Sequence, residues 1–346
     1  MIESRRHVLN RIMVSGVSHP GLWLDRYVRN QLEHNESPGK DAQGRPLPTP
    51  NQALVDQVDQ IPISSFYNVF YARWEKALKE HPDTSTRTAT AKGRMVVGLG
   101  DESVIETAIT LHHTYGTPII PGSALKGLAA HYARNYLDDA QWGVKSQAYR
   151  TLFGDTESAG YITFFDALYI PDTGHAHKPL HADVITVHHP KYYQGQTDDQ
   201  GNASPPADWD SPTIIPFLSA TGSYLVALAG SEAWVHVTFT ILEWALAKLG
   251  IGAKTSSGYG RMELKPPPFD PEQAEANRFI EQVKQIRERD VAGQIPNYVA
   301  LWRKLDVSAP LKRQVAKVIL EKVRAAGRER TDAVRAWYQE LLASLQ

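Results

Sequence analysis

The stretch GIGAKTSSGYGRM occupies residues 250–262 and contains four glycines, one lysine and one arginine in thirteen residues. It follows WVHVTFTILEWALAKLG (234–250), whose second half has helical spacing, and leads into RMEL (261–264), which predicts a strand. Glycines permit positive φ and close backbone approach, so successive N–H groups can face an oxyanion. The composition therefore favours a helix-to-strand loop that binds an anion, and the alternative is a tight turn whose glycines serve packing alone.

Neither common nucleotide-phosphate motif fits this loop. A Walker A loop requires G-x-x-x-x-G-K-[ST], but Ala253 precedes Lys254 and Lys248 stands at the first glycine position. A G-x-G-x-x-G fingerprint that begins at Gly250 would need a glycine at Thr255. Both motifs also run from a strand into a helix, which is the reverse order. A nucleotide-binding enzyme is therefore disfavoured, and the candidate residues for another phosphate are Lys254, Thr255, Ser256, Gly258, Tyr259, Gly260 and Arg261.

The segment IPGSALKG (120–127) predicts a second anion-binding corner. Pro121 ends an extended segment, and the following residues begin a helix with apolar side chains at helical spacing. The N–H groups of a first helical turn have no intrahelical acceptor, and the helix dipole favours an anion there. The alternative is simple capping of the helix. The candidate residues are Gly122, Ser123, Lys126, His131 and Arg134.

The chain around these two segments predicts an α+β fold. Strands are expected at 94–98, 160–170, 224–230 and 261–264, with helices after the first and third. This order is the βαββαβ pattern of a ferredoxin-like (RRM-like) sheet. The expected organisation is a helical and irregular N-terminal segment packing on the core (1–91), the sheet domain (92–265) with an insertion (171–216), and a helical extension (269–346) after three prolines.

Composition restricts the class of protein further. The 346 residues have a net charge of −1, so any anion site must be local, and the chain has no cysteine for disulfides or thiolate zinc sites. No apolar run is long enough for a signal peptide or a membrane span, so we expect a cytoplasmic protein without membrane contact. From Lys265 onward the chain carries 15 Lys+Arg against 11 Asp+Glu.

Together, IPGSALKG and the glycine-rich loop resemble the RAMP superfamily of CRISPR-associated proteins. The middle of the chain narrows the resemblance, in DVITVHHPKYYQG (183–195), PADWDSPTIIPFLSATGSYLVAL (206–228) and WALAKLGIGAKTSSGYGR (244–261). These segments are similar to the terminal backbone (sixth) subunits of Cmr-type, type III-B effector complexes. The resemblance covers about residues 15–265, and the helical extension departs from it.

The resemblance implies a structural, RNA-binding role without a cofactor. Such a subunit caps the backbone of the complex near the 3′ region of the guide RNA (crRNA). It contacts guide phosphates through the glycine-rich loop and the first helix. The implied partners are guide RNA, target RNA, the repeated backbone subunit, the neighbouring terminal RAMP subunit and the small helical subunit.

The insertion corresponds, by this resemblance, to a thumb-like region that reaches toward the guide–target duplex. Tyr192 and Tyr193 could stack on bases, and His188 and Lys191 could meet phosphates. The alternative is that both tyrosines belong to the core. Residues 155–210 hold nine Asp+Glu against two Lys, so most of this region is expected to face water or protein.

Catalytic and metal sites are not expected. The catalytic Asp of the repeated backbone subunits corresponds here to Glu106, beside His112 and His113, but the matching subunit is regarded as non-cleaving. The alternative is a metal-independent RNA endonuclease, for which His131, Lys254 and Tyr259 could supply a catalytic set. His175, His177 and His181 lack a carboxylate at ligand spacing, which favours a histidine-rich loop over a zinc site.

Overall fold

The computed structural model describes residues 11–15, 18–28, 39–81, 83–193, 195, 197, 201, 205–206, 212–266, 271–327 and 332–345. The chain forms two compact units, Met1–Pro267 and Pro268–Gln346. Each unit has its own cluster of buried apolar side chains.

Among the described residues, three helices precede the sheet of the first unit: α1 (Pro20–Arg26), α2 (Pro50–Asp59) and α3 (Ser65–Glu80). Helix α2 begins with a capping box, in which Thr49 and Gln52 satisfy each other's backbone N–H groups. The aromatic residues of α3 follow helical spacing, so that Tyr67 and Tyr71 are buried together on one face. The hydroxyl of Tyr67 donates to the carbonyl of Tyr169 in the sheet, and this contact fixes α3 against the core.

The sheet has six strands: β1 (Thr84–Ala91), β2 (Ile119–Ile120), β3 (Thr163–Phe164), β4 (Ala167–Tyr169), β7 (Ser223–Ala229) and β8 (Met262–Leu264). Their order is β2-β4-β7-β1-β8, with β3 also beside β7, and every pairing is antiparallel. Helix α4 (Gly122–Tyr136) lies in the chain between β2 and β3, followed by α5 (Asp139–Trp142) and α6 (Gln147–Phe153). Helix α8 (Glu232–Lys248) connects β7 to β8.

Two strand predictions and one helix prediction need correction. The first strand is β1, which lies within the segment expected to be helical and irregular. Residues 94–98, where the sequence predicts the strand, follow β1 and make an isolated β-bridge between Met95 and Ala220. β1 reads TSTRTATA and has no apolar run, so its sequence gives a weak strand signal. The strand expected at 160–170 is divided into β3 and β4. Helix α8 is helical over its whole length, because burial against the sheet outweighs the low helix propensity of its β-branched first half.

The insertion forms a hairpin of β5 (Leu180–Val187) and β6 (Thr213–Ala220), with the short α7 (Pro190–Tyr193) after β5. The register pairs Leu180 with Ala220 at the base and Val187 with Thr213 toward the tip. Phe217 is fully buried near the base, whereas Ile214 is exposed near the tip. The hairpin is therefore fixed to the core at one end and reaches solvent at the other.

The second unit is helical, with α9 (Pro271–Gln285), α10 (Val291–Lys304), α11 (Ala309–Ala325) and α12 (Asp332–Ala343). Its core includes Val283, Ile295, Trp302, Ile319 and Leu341, which come from all four helices. In the parts of the chain that the structure describes, no helix is both long enough and apolar enough to cross a membrane.

Candidate nucleic-acid interface

The glycine-rich loop contains two kinds of glycine. All four have positive φ, at 80°, 85°, 88° and 69° for Gly250, Gly252, Gly258 and Gly260. A Cβ at Gly252 would lie 2.2 Å from the carbonyl oxygen of Val96, and one at Gly260 would lie 1.9 Å from that of Ile251. A Cβ at Gly258 would meet nothing within 4 Å. Gly252 and Gly260 therefore serve close packing, while Gly258 lies at the open tip of the loop.

Backbone hydrogen bonds hold the loop along the segment that follows β1. The N–H of Gly260 donates to the carbonyl of Arg94, and the N–H of Lys92 donates to the carbonyl of Arg261, each at 2.8 Å. A third bond of 2.8 Å joins the N–H of Ala253 to the carbonyl of Val96. Residues 92–97 and the loop are consequently neighbours along their length.

The tip of the loop is a 3₁₀ turn, Thr255–Ser257, with Ser256, Ser257 and Gly258 exposed. Lys254, just before the turn, has a left-handed backbone with φ 58° and ψ 28°. That conformation is uncommon for a residue with a side chain. The tip thus presents exposed serine hydroxyls next to a lysine whose backbone is left-handed.

Tyr259 connects the loop to the base of the hairpin. Its hydroxyl donates to Oδ2 of Asp183 at 2.7 Å, and its ring lies 6.2 Å from that of Phe217. Burial raises the pKa of Tyr259 to about 12, and the hydrogen bond to Asp183 contributes. The Nζ of Lys254 lies 5.8 Å from the Tyr259 ring and 6.0 Å from the Phe217 ring. Tyr259 therefore orders the loop, and Lys254 lies over the two rings.

The two adjacent segments that form this glycine-loop junction carry four cationic residues: Lys92, Arg94, Lys254 and Arg261. Within the described residues, none of them has a carboxylate oxygen within 4 Å. Sequence reasoning identified Lys254 and Arg261 but missed Lys92 and Arg94. Arg94 is the first residue of the strand predicted at 94–98 and Lys92 lies just before it, and no sequence signal placed that segment beside residues 250–261.

The helix corner at α4 differs from its prediction. The N–H of Gly122 is not free, because it donates to Oδ1 of Asp166 at 2.8 Å, and a Cβ at Gly122 would lie 2.2 Å from the carbonyl oxygen of Phe164. Asp166 thus already places a carboxylate at the start of the helix. Ser123 is exposed and Lys126 is half-buried.

The two predicted corners do not form one site. β2, which leads into α4, and β8, which follows the glycine-rich loop, are at opposite ends of the strand order. Four strand spacings separate them, which is about 19 Å. His131 and Arg134 are exposed further along α4, and His131 lies against Asn135 and Tyr136.

The aromatic residues near the hairpin tip are exposed. Tyr192 is 51% exposed and Tyr193 is 75% exposed, and their rings lie 5.5 Å apart at 72°. This finding excludes the alternative that they belong to the core. His188 is also exposed, while the side chain of Lys191 lies outside the described residues.

The residues considered for catalysis do not converge. Glu106 is exposed with φ 70°, and burial lowers the pKa of His112, whose Nδ1 accepts from the N–H of Thr114. In the described part of the chain, no contact joins His131 to Lys254 or Tyr259. The rings of His175 and His181 are 5.5 Å apart, but the described residues contain no group of three or more metal-ligating side chains.

Comparisons with known proteins identify the class. The sequence profile of the RAMP superfamily matches residues 88–263, which are 176 of the 346 residues. The chain therefore belongs to the RAMP superfamily, as the sequence motifs predicted.

Within that superfamily, the chain is a homologue of the CRISPR system Cmr subunit Cmr6 of Pyrococcus furiosus. The two are 31% identical over 252 residues, which cover 56% of this chain and 73% of the relative.

Two solved structures are also similar. The first is a cryo-EM structure of the type III-B Cmr-beta complex bound to cognate target RNA, with TM-score 0.49, 18% identity, and coverage of 62% of this chain and 71% of the other. The second is the crystal structure of Cmr6 from Pyrococcus furiosus, with TM-score 0.34, 28% identity, and coverage of 53% and 98%. Because both TM-scores are below 0.5, membership of the superfamily rests on the sequence profile and on the identity to Cmr6.

Proposed function

We propose that this chain is an RNA-binding structural subunit of a type III-B CRISPR (Cmr) effector complex. The observation that carries the proposal is the junction at the glycine-rich loop, where four cationic residues without a carboxylate partner among the described residues lie on and beside an open, hydroxyl-bearing turn. An RNA phosphate supplies the negative charge and acceptor oxygens that such a surface lacks. Homology to a Cmr subunit supports the choice of RNA as the ligand.

The burial of the central sheet favours RNA contact through loops rather than through a face of the sheet. The order β8-β1-β7-β4, with a helix in each long connection, is consistent with the ferredoxin-like arrangement expected from the sequence. Every residue of β7 from Ser223 to Leu228 is buried, and successive residues of a strand point to opposite faces. Both faces of the central strand are therefore covered, unlike the open sheet on which an RRM stacks bases.

The hairpin gives the proposed subunit a second contact. Tyr192 and Tyr193 present two exposed rings near the tip, and aromatic rings stack on bases with little sequence preference. We propose that this tip approaches the guide–target duplex while the glycine-rich loop holds guide phosphates. The subunit then caps the backbone near the guide 3′ region, beside the repeated backbone subunit, the neighbouring terminal RAMP subunit and the small helical subunit, in the cytoplasm.

We further propose that the subunit does not cleave RNA itself. The endonuclease alternative needs Tyr259 as an acid or base, but its hydroxyl donates to Asp183 and its pKa is about 12. Incubation of the purified chain with repeat RNA without metal tests this point. Products that disappear in the Tyr259→Phe variant would establish the endonuclease instead.

The structural proposal is tested by purifying a tagged chain from its host and sequencing the RNA that accompanies it. We expect guide RNAs of defined ends together with other Cmr subunits. A matched chain with Lys254→Ala and Arg261→Ala should retain less RNA. Recovery of the same unselected cellular RNA from both chains would reject the proposal.

A further inference from the structure

Lys92 and Arg94 lie beside the glycine-rich loop although they precede it by about 160 residues in the sequence. The bond from the Lys92 N–H to the Arg261 carbonyl and the bond from the Gly260 N–H to the Arg94 carbonyl fix the two segments side by side. Lys92 is exposed and Arg94 is half-buried. The backbone thus brings two cations of one segment next to two cations of the other.

Arg94 has more donor capacity than its surroundings use. A guanidinium has five N–H donors, and the side-chain bond that the structure describes goes from Arg94 Nη1 to Oγ of Ser219 at 3.1 Å. Asp183, the nearby carboxylate of β5, accepts from Tyr259 instead. Among the described residues no carboxylate oxygen lies within 4 Å of this half-buried guanidinium, so its remaining N–H groups face water or an anion from outside the chain. A phosphate can replace that water and accept two of these N–H groups at once.

The position of Arg94 extends the charged surface from the loop to the hairpin. Ser219, whose hydroxyl accepts from Arg94, belongs to β6. Burial lowers the pKa of His181 in β5, and the positive charge of Arg94 lowers it further. Lys254 and Arg261 lie on the loop itself, and Lys92 flanks it. Cations spread along two adjacent segments match a series of linked phosphates better than one compact phosphate group.

We infer that Lys92 and Arg94 bind phosphates and continue the glycine-loop site toward the base of the β5–β6 hairpin. The ligand is the backbone of single-stranded RNA, held over several consecutive nucleotides. This inference rests on the proposed function and assigns it two residues outside the loop.

The test measures binding of fluorescently labelled poly(U) RNA to the full chain by anisotropy at several salt concentrations. Each lost phosphate contact lowers the slope of log affinity against log salt by about 0.7 for a single strand, which is about fivefold between 1 M and 0.1 M salt. Lys92→Ala combined with Arg94→Ala should therefore lower the slope by about 1.4. Arg94→Lys should keep the slope but bind more weakly, because it loses the two-pronged contact.

Lys76→Ala is the matched control, since this lysine is 75% exposed on α3 and pairs with Glu80. Its affinity and slope should equal those of the parent. Thermal melting shows whether Arg94→Ala reduces folding. If it does, Lys92→Ala alone still tests the inference, because Lys92 is exposed and its removal should not disturb the fold. Unchanged binding in the Lys92 and Arg94 variants, with loss in Lys254→Ala, would overturn this inference and leave the proposed function standing. A parent chain that does not bind RNA, or loop variants that bind like the parent, would overturn both.

Discussion

The glycine-loop junction and the helical second unit both carry cations, but the two regions use them differently. Helix α11 has five Lys+Arg and one Glu over residues 309–325, a higher local charge than that of the loop. The Nζ of Lys312 donates to the carbonyls of Arg303 and Leu305 at the end of α10, at 3.0 and 3.2 Å. Lys322 donates to the carbonyl of Lys284 at 2.8 Å, and Arg324 donates to the hydroxyl of Tyr338.

The comparison shows that a region of high net charge can use its cations structurally, because three of the five cations of α11 donate to groups of the same unit. The last carbonyls of a helix lack intrahelical donors, and lysines of a neighbouring helix supply them in the second unit. At the loop, the four cations have no carboxylate partner among the described residues. A basic helix can therefore be structural, while a less charged loop is the one that we propose binds an external anion.

The largest effect is expected from Gly260→Val. Its Cβ would lie 1.9 Å from the backbone oxygen of Ile251, at a φ of 69° that a β-branched residue resists. We expect loss of more than about 4 kcal/mol of unfolding free energy, or failure to fold and to assemble. Chemical denaturation and complex assembly measure it.

Gly258→Val is the matched comparison for that prediction. Gly258 also has positive φ, at 88°, but a Cβ there meets nothing within 4 Å. The cost should be limited to about 1–2 kcal/mol of backbone strain. Equal stability of the two variants would show that close packing at Gly260 does not make it more sensitive than Gly258.

A smaller effect is expected from Lys312→Ala in the second unit. The change removes the donor to two helix-terminal carbonyls and the contact of Nζ with the Trp302 ring at 5.7 Å. We expect the second unit to lose about 1–2 kcal/mol of stability. RNA affinity should not change. A loss of RNA affinity with unchanged melting would remove the distinction between structural and RNA-binding cations.

Lys254→Ala should weaken RNA binding without unfolding the chain. The slope of log affinity against log salt should fall by about 0.7–1, with a similar loss for every RNA sequence. Lys317→Ala, at an exposed position of α11, is the matched control and should leave the slope unchanged.

Lys126→Ala tests the helix corner in the same assay. Because Asp166 already occupies the Gly122 N–H, its effect should be smaller than that of Lys254→Ala.

The smallest effect on RNA binding is expected from truncation after Pro267. Residues 1–267 form a compact unit with their own core, and the cations of the junction all lie within it. The truncated chain should bind guide RNA like the full chain but incorporate less well into the complex, since the mixed charge from Lys265 onward, 15 Lys+Arg against 11 Asp+Glu, suits a protein neighbour better than RNA. Reduced RNA affinity with intact folding and incorporation would place RNA-binding residues in the second unit.

The sequence alone determined the class of protein and the positions of its main motifs. Helical spacing located α4, and GIGAKTSSGYGRM and IPGSALKG identified the superfamily, because such motifs depend on residues close in the chain. The sequence identifies Tyr192 and Tyr193 as candidates but does not determine whether they are exposed, which the structure shows that they are. Periodicity says which face of an element is apolar, and it does not say whether a short polar-flanked segment is covered by another part of the chain.

Only the tertiary structure decided which distant segments meet. It placed β1 in the sheet although its sequence is mostly Thr, Ser and Ala, because pairing with β7 and β8 supplies the hydrogen bonds that local propensity does not specify. It brought Arg94 beside Gly260 and put the Asp166 carboxylate on the Gly122 N–H. These contacts join residues from about 40 to more than 160 positions apart. Their partners are fixed by sheet pairing and core packing, and no local sequence pattern carries that information.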